Sequence, residues 1–364
     1  MKKNDGLQPL IFPAILTAIL GGRMLWRHVR EADLHGQTVL ITGGTRGLGF
    51  LLARDFAREG CRIAICGRDE IALQEARQEL ERLGVEVLAV PCDVADRRQV
   101  ADLIDRVTAH YGQIDILVNN AGVIQVGPLE TMALSDFEHA INVILWGTIY
   151  PTLGTLPQML ARGQGRIVNI TSIGGKLGVP HLLPYSTAKY GTVGFSQALH
   201  AEMAPRGIKV TTVVPGLMRT GSHLNALFKG QEDEEFTWFG LGATLPLISI
   251  DAERAAQQIV RATKRGEAEW IITLPASFIA RFNGLFPGIT TRLLSLANQI
   301  ILPEAPGPEQ DRTRGVDISR QLESALARRL MAWGRSAGRR FNQYATRHAV
   351  EQHPGLVEEL RQPD

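Results

Sequence analysis

Between residues 37 and 275 the chain alternates two hydrophobic rhythms. Short, nearly continuous apolar runs rich in Val and Ile occupy 37–43 (QTVLITG), 61–67 (CRIAICG), 85–93 (VEVLAVPCD), 114–122 (IDILVNNAG), 165–172 (GRIVNITS), 208–216 (IKVTTVVPG) and 269–275 (EWIITLP). Between them, as in 69–84 and 97–112, apolar residues recur every three or four positions. A continuous apolar run suits a strand buried on both faces, whereas the wider spacing draws one apolar stripe along a helix. The alternation predicts an α/β fold: a Rossmann-type, doubly wound parallel sheet of seven strands with helices on both faces.

The ends follow a different pattern, which divides the chain into an N-terminal segment (1–34), a Rossmann-type domain (35–275) and a helical C-terminal extension (276–364). Residues 7–22 are mostly apolar, broken by Pro9 and Pro13, and are followed by Arg23, Trp26, Arg27 and Arg30. As a helix, 9–22 covers about 21 Å, short of the roughly 30 Å hydrocarbon core. Two readings stand for this segment: an anchor at a membrane surface, or a helix packed on the protein or a partner subunit. The arginines after the run, against Lys2 and Lys3 before it, favour a cytoplasmic domain. Beyond Pro275, residues 276–303 are apolar with scattered arginines, which suits an interfacial helix pair, a substrate-loop cover or an oligomer face. Residues 304–315 read as a polar linker and 319–350 as a basic helix.

Composition narrows the function classes. A hydrophobic fraction of 45% supports a substantial core, and a formal net charge of +2 with no basic stripe argues against nucleic acid as a partner. Cys61, Cys66 and Cys92 lie in or beside predicted strands without metal-ligand spacing, so they read as core thiols, and no metal is expected.

The chemistry concentrates at strand ends. The first strand runs into TGGTRGLG (42–49) and then a helix. Gly43, Gly47 and Gly49 let the backbone approach a pyrophosphate at the helix N-terminus, whose free N–H groups favour an anion. The second strand ends at Arg68, where an NAD site usually carries an acid, and Arg46 lies in the glycine turn. Two guanidinium groups suit a 2′-phosphate, so NADP(H) is favoured over NAD(H), while Asp69 either bonds the ribose or, as the favoured reading, caps the next helix. Asp93 is an acceptor for the adenine amino group or a cap. NNAG (119–122) closes the fourth strand near the switch point. Asn142 is a polar residue on the apolar face of a predicted helix. Tyr185 and Lys189 stand four apart on another, and Ser172 ends the fifth strand.

Taken together, the glycine motif, NNAG, Asn142, Ser172, the YxxxK pair and Pro215-Gly216 strongly resemble the short-chain dehydrogenase/reductase family over about 37–275. The resemblance implies a catalytic tetrad of Asn142, Ser172, Tyr185 and Lys189. Tyr185 would be the general acid–base, Ser172 would orient the substrate oxygen, Lys189 would lower the tyrosine's pKa and hold the nicotinamide ribose, and Asn142 would hold a relay water. It implies dinucleotide contacts at Gly43, Thr45, Arg46, Gly47, Leu48, Gly49, Arg68, Asp93, Val94, Asn119, Ala121, Gly122, Tyr185, Lys189, Pro215, Gly216 and Thr220. Substrate contacts fall to Ser172 and Tyr185, while His181 either lines the substrate pocket or serves the structure of its own loop.

The expected function is an NADP(H)-dependent oxidoreductase interconverting a carbonyl and a secondary alcohol on a hydrophobic substrate. The alternatives are an NAD-linked alcohol dehydrogenase and a non-catalytic NADP-binding scaffold. Residues 217–250 are expected to form an irregular lid whose Phe228, Phe236, Trp238 and Phe239 suit an apolar ligand, or pack on protein. Family relatives suggest a homodimer or homotetramer, and the terminal extensions suggest peripheral membrane contact.

Overall fold

The structure is a computed structural model that describes residues 31–244, 249–307, 311–321 and 340–341. The N-terminal apolar run and most of the expected basic helix lie outside the described residues. All seven predicted strands form: β1 (Thr38–Thr42), β2 (Arg62–Gly67), β3 (Val87–Pro91), β4 (Ile116–Asn119), β5 (Gly165–Ile170), β6 (Ile208–Pro215) and β7 (Glu269–Ile272). They make one sheet in the order β7-β6-β5-β4-β1-β2-β3, every neighbouring pair parallel.

The continuous apolar runs have a direct packing consequence. Val39, Ile41, Ile63 and Ile65 enter one core, whereas Leu40, Ala64 and Cys66 enter another on the opposite face. Successive strand side chains point to opposite faces, so both must be apolar when both are covered. Helices α1 (Gly47–Arg58), α2 (Glu70–Glu81) and α8 (Ala252–Arg265) cover the first face. On the second lie α3 (Arg97–Tyr111), α5 (Gly147–Arg162) and α6 (Leu183–Met203). The three cysteines are free and buried.

Three features differ from the sequence expectations. Asn142 does not sit on a buried helical face. It is exposed on a π-helical turn (Ile141–Trp146) between α4 (Leu134–Ala140) and α5. Such turns shift the register by one residue and recur at functional sites.

The lid is also more ordered than its mixed composition suggested. It contains the strands Leu217–Arg219 and Leu227–Phe228 and the helix α7 (Glu232–Thr244). Phe228, Phe236 and Phe239 are buried against one another, with ring centroids 5.4 and 6.0 Å from Phe228, so these aromatics form the lid's own core.

Finally, the polar stretch after 303 does not run free. Thr313–Arg314 pairs antiparallel with Leu227–Phe228, and α11 (Gly315–Gln321) buries Ile318 in the lid core. A buried carboxylate fastens this junction. Asp136 accepts from Lys229 Nζ and forms an ion pair with Arg312 Nε, each at 2.8 Å. The hairpin of α9 (Leu274–Leu285) and α10 (Pro287–Ile301) follows β7 directly.

Candidate active site

Strand order reverses between β1 and β4, and the chain segments leaving their carboxyl ends meet there. Gly43 has φ +65°, and a Cβ on it would lie 2.9 Å from Ala121 Cα, so glycine is required for the two turns to touch. A Cβ on Gly49 would collide with the Gly43 carbonyl and Asn120 Nδ2. Asn120 locks the arrangement. Its amide donates to the carbonyls of Thr42 (3.1 Å) and Gly43 (3.0 Å), and its N–H donates to Thr42 Oγ1 (3.0 Å). The sequence reads both asparagines of NNAG as ties between neighbouring strands, and Asn120 makes such a tie between the ends of β1 and β4. Its neighbour Asn119 is spent on strand bracing, donating to Asn169 Oδ1 (2.8 Å) and Thr152 Oγ1 (3.0 Å). Asn119 thereby serves the cradle from behind.

Helix α1 opens differently from α2, α3 and α8. Asp69, Asp96 and Asp251 cap α2, α3 and α8 with side-chain oxygens, whereas Arg46, extended at the head of α1, provides no side-chain cap. The first-turn N–H groups of a helix have no partners within it. Here the Gly47 N–H donates to the Phe341 carbonyl at 2.7 Å, and Leu48 and Gly49 complete the turn. Phe341 itself is buried in the core beside α1, a docking no motif announced.

Cationic groups surround this helix end. Burial, together with the guanidinium of Arg314, lowers Arg46 to about 10, with Asp69 opposing and Arg68 adding to the effect. Arg314 comes from the stretch read as a linker, and only its fold-back brings it here. Arg68 is exposed and lies 3.8 Å from Asp93 Oδ2. Asp93 accepts from the Ala95 N–H at 3.0 Å, so it braces its own turn, and the cap of α3 falls to Asp96. Thr45 packs against Gly67, where a Cβ would meet Thr45 Cγ2 at 2.6 Å. Val94 is buried against Gly147, at the start of α5.

At the other end of the cleft, α6 places Tyr185 and Lys189 one turn apart. Ser172, at the end of β5, hydrogen-bonds with Tyr185, and its Oγ also accepts from the Gly174 N–H at 3.1 Å. Burial raises the Tyr185 pKa and the Ser172 bond opposes it. The expected lowering by Lys189 is not the dominant effect in this geometry. The lysine ammonium donates to the Ile170 carbonyl at 2.8 Å and lies 5.7 Å from the tyrosine ring centroid, and burial lowers its own pKa to about 8. A Cβ on Gly122 would stand 3.9 Å from that ammonium, which ties the NNAG turn to the same site. Pro215 pairs with Ile272 at the end of β6, Gly216 follows, and Thr220 is buried with its Oγ1 accepting from the Ser222 N–H at 3.2 Å. His181 is turned toward the lid. Its Nδ1 lies 2.6 Å from Oε1 of the fully buried Glu235, whose Oε2 accepts from Trp238 Nε1 at 2.6 Å.

Comparison with known proteins agrees with this geometry. The family model described as short chain dehydrogenase matches residues 37–228. The chain belongs to the short-chain dehydrogenase/reductase family. It is similar to the dehydrogenase/reductase SDR family protein 7-like of Anopheles gambiae, 35% identical over 224 residues, covering 60% of this chain and 70% of that one. Dehydrogenase/reductase SDR family member 7B of Bos taurus is 29% identical over 299 residues, covering 80% of this chain and 90% of that protein. Among solved structures, a gluconate 5-dehydrogenase from Burkholderia cenocepacia in complex with NADP and tartrate superposes with a TM-score of 0.60 at 27% identity. That match covers 69% of this chain and 99% of the other. As a short-chain dehydrogenase/reductase, the protein is an NAD(P)-dependent oxidoreductase acting on CH–OH groups of small carbonyl or alcohol substrates. The glycine contact, the helix end without a side-chain cap and the guanidinium cluster fit such a dinucleotide.

Proposed function

We propose that this short-chain dehydrogenase/reductase uses NADP(H) to interconvert a carbonyl and a secondary alcohol on a hydrophobic, lipid-, steroid- or retinoid-like substrate. The observation that carries the cofactor preference is the cluster of Arg46, Arg68 and Arg314 beside a helix N-terminus that has no side-chain cap. Mutual repulsion and desolvation make that cluster a site for an anion such as a 2′-phosphate. The acid that an NAD site would need is otherwise employed, since Asp69 accepts from the Ile71 and Ala72 N–H groups.

In this reading Gly43, Leu48 and Gly49 line the pyrophosphate cradle, with Thr45, Val94, Ala121, Gly122, Pro215, Gly216 and Thr220 along the rest of the dinucleotide. NADP(H), when bound, supplies or accepts the hydride. Tyr185 delivers its phenolic proton to the developing alkoxide in reduction and takes it back in oxidation. Ser172 orients the same oxygen through its bond with Tyr185. Lys189 holds the nicotinamide ribose, and Asn142, on its π-helical turn, holds the water that returns a proton to the site.

Apolar surroundings support the substrate class. Tyr185 packs against two apolar clusters, one that includes Leu182, Phe228 and Phe236 and the other made of Ala140, Ile144 and Ala188. We further read the protein as a homodimer or homotetramer that works at a cytoplasmic membrane surface. The test is NADPH and NADH oxidation with a panel of hydrophobic ketones and aldehydes. Turnover selective for NADPH supports the reading, and equal or preferential use of NADH overturns its cofactor half.

A further inference from the structure

The α9–α10 hairpin exposes more large apolar surface than any other described part of the chain. On α9, Leu274 is 87% exposed, Phe278 69% and Leu285 74%. On α10, Ile289, Leu293, Leu296 and Ile300 are all at least half exposed and fall at i, i+4, i+7 and i+11, one face of a helix. Only Ala276 of α9 and Thr290 of α10 are buried. The pair therefore rests lightly on the body and turns its apolar stripes outward. Contiguous exposed surface of this kind marks an interaction site.

Charge indicates the occupant. Between 274 and 301 the charged residues are Arg281 and Arg292, with no acid among them. A second copy laid on this face would set arginine against arginine with no carboxylate to compensate. The chain's own residues 1–30 do not complement it either, since they carry five Lys or Arg residues and one Asp. Two cations flanking exposed apolar stripes match a layer whose headgroups are anionic and whose interior is hydrocarbon. The helices have 12 and 15 residues, and no helix among the described residues is long and apolar enough to cross a membrane, so the hairpin lies in the headgroup layer.

Its attachments tie this surface to the chemistry. The hairpin leaves the carboxyl end of β7, where Ala276 packs beside Gly216. Asn283 Nδ2 donates to the Lys176 carbonyl at 2.7 Å, on the loop that follows Ser172, and Asn283 also bonds Tyr190 of α6. The apolar face is thus braced against the two segments that bear Ser172 and Tyr185.

We propose that the outward face of α9 and α10 docks on an anionic phospholipid surface and opens the substrate cleft toward the lipid phase. The proposal rests on the membrane-surface reading above and specifies the surface responsible. The test is flotation of the full chain with phosphatidylcholine vesicles containing about one-fifth phosphatidylserine, where each arginine near the surface contributes about fivefold. The intact chain floats with these vesicles. Phe278→Glu/Leu293→Glu/Ile300→Glu lowers the affinity at least tenfold and leaves turnover of a water-soluble ketone unchanged. Arg281→Gln/Arg292→Gln removes the preference for anionic lipid. In the unsubstituted chain, vesicles slow hydrogen exchange over 274–301, a readout that depends on no variant's folding. A triple variant that floats as well as the parent overturns the proposal while leaving membrane association intact through another segment. Absence of flotation by the parent overturns both. A triple variant that falls to a smaller oligomer with flotation unchanged assigns the face to a second copy and overturns the proposal.

Discussion

The ammonium of Lys189 lies 5.7 Å from the ring centroid of Tyr185 and is hydrogen-bonded to the Ile170 carbonyl. Burial acts on both groups, raising the phenol and lowering the ammonium to about 8. In this geometry each group is biased toward its neutral form, and Ser172 is the one hydrogen-bond partner that favours the phenolate.

A pH signature in stability follows. Lys189 titrates near 8 in the folded protein against 10.5 for an ordinary lysine, so between those values the unfolded chain binds more protons. Stability contributed by this site therefore rises with pH from about 8 toward 10 and is missing below 8. The Tyr185 shift acts with the opposite sign, but only above pH 10. Urea unfolding of the parent and of Lys189→Met between pH 7 and pH 10 checks this. The parent gains stability relative to the variant by about 2 kcal/mol across the range.

Cofactor choice is tested at the guanidinium cluster. Arg46→Ala and Arg68→Ala are each expected to weaken NADPH binding about tenfold or more, the worth of a charge-assisted hydrogen bond, with little effect on NADH. Fluorescence titration of both dinucleotides reads the difference. Equal losses for the two would remove the 2′-phosphate from the account.

Asp136 joins the lid, through Lys229, to the C-terminal fold-back, through Arg312. Asp136→Asn leaves two cations without their carboxylate in a buried setting. It is expected to cost about 3–5 kcal/mol, read as a shift in the denaturant midpoint.

The His181–Glu235 pair clasps α7 to the loop that leads into the catalytic helix. Glu235→Gln keeps the shape but removes the charge. It should raise the KM for substrate severalfold with a smaller change in kcat, since the pair's hydrogen bonds join the loop to Trp238 of α7. A change confined to kcat would instead draw His181 into the proton path.

The sheet was legible because each strand is apolar at successive positions, a pattern that only two-sided burial requires. The cap at Asp69 and the bracing by Asn119 could likewise be read from the local sequence. The lid was not legible, because its helix opens on four consecutive acidic residues and hides its anchor among them: Glu235 looks like surface until His181 and Trp238 are brought against it. Arg314 and Phe341 were missed for a related reason. Arg314 reaches the head of α1 from the stretch read as a linker and Phe341 from the stretch read as a basic helix, and such long-range docking leaves no periodic trace. The π-helical turn at Asn142 is a register shift of one residue, which hydrophobic spacing is too coarse to reveal.

The central claim is that Tyr185 moves the proton while the dinucleotide moves the hydride. The most direct measurement is steady-state carbonyl reduction by Tyr185→Phe beside the parent, with NADPH affinity determined for both. The account predicts a fall in kcat of about 10²–10⁴-fold at unchanged NADPH affinity. A variant that retains the parent's kcat would contradict it.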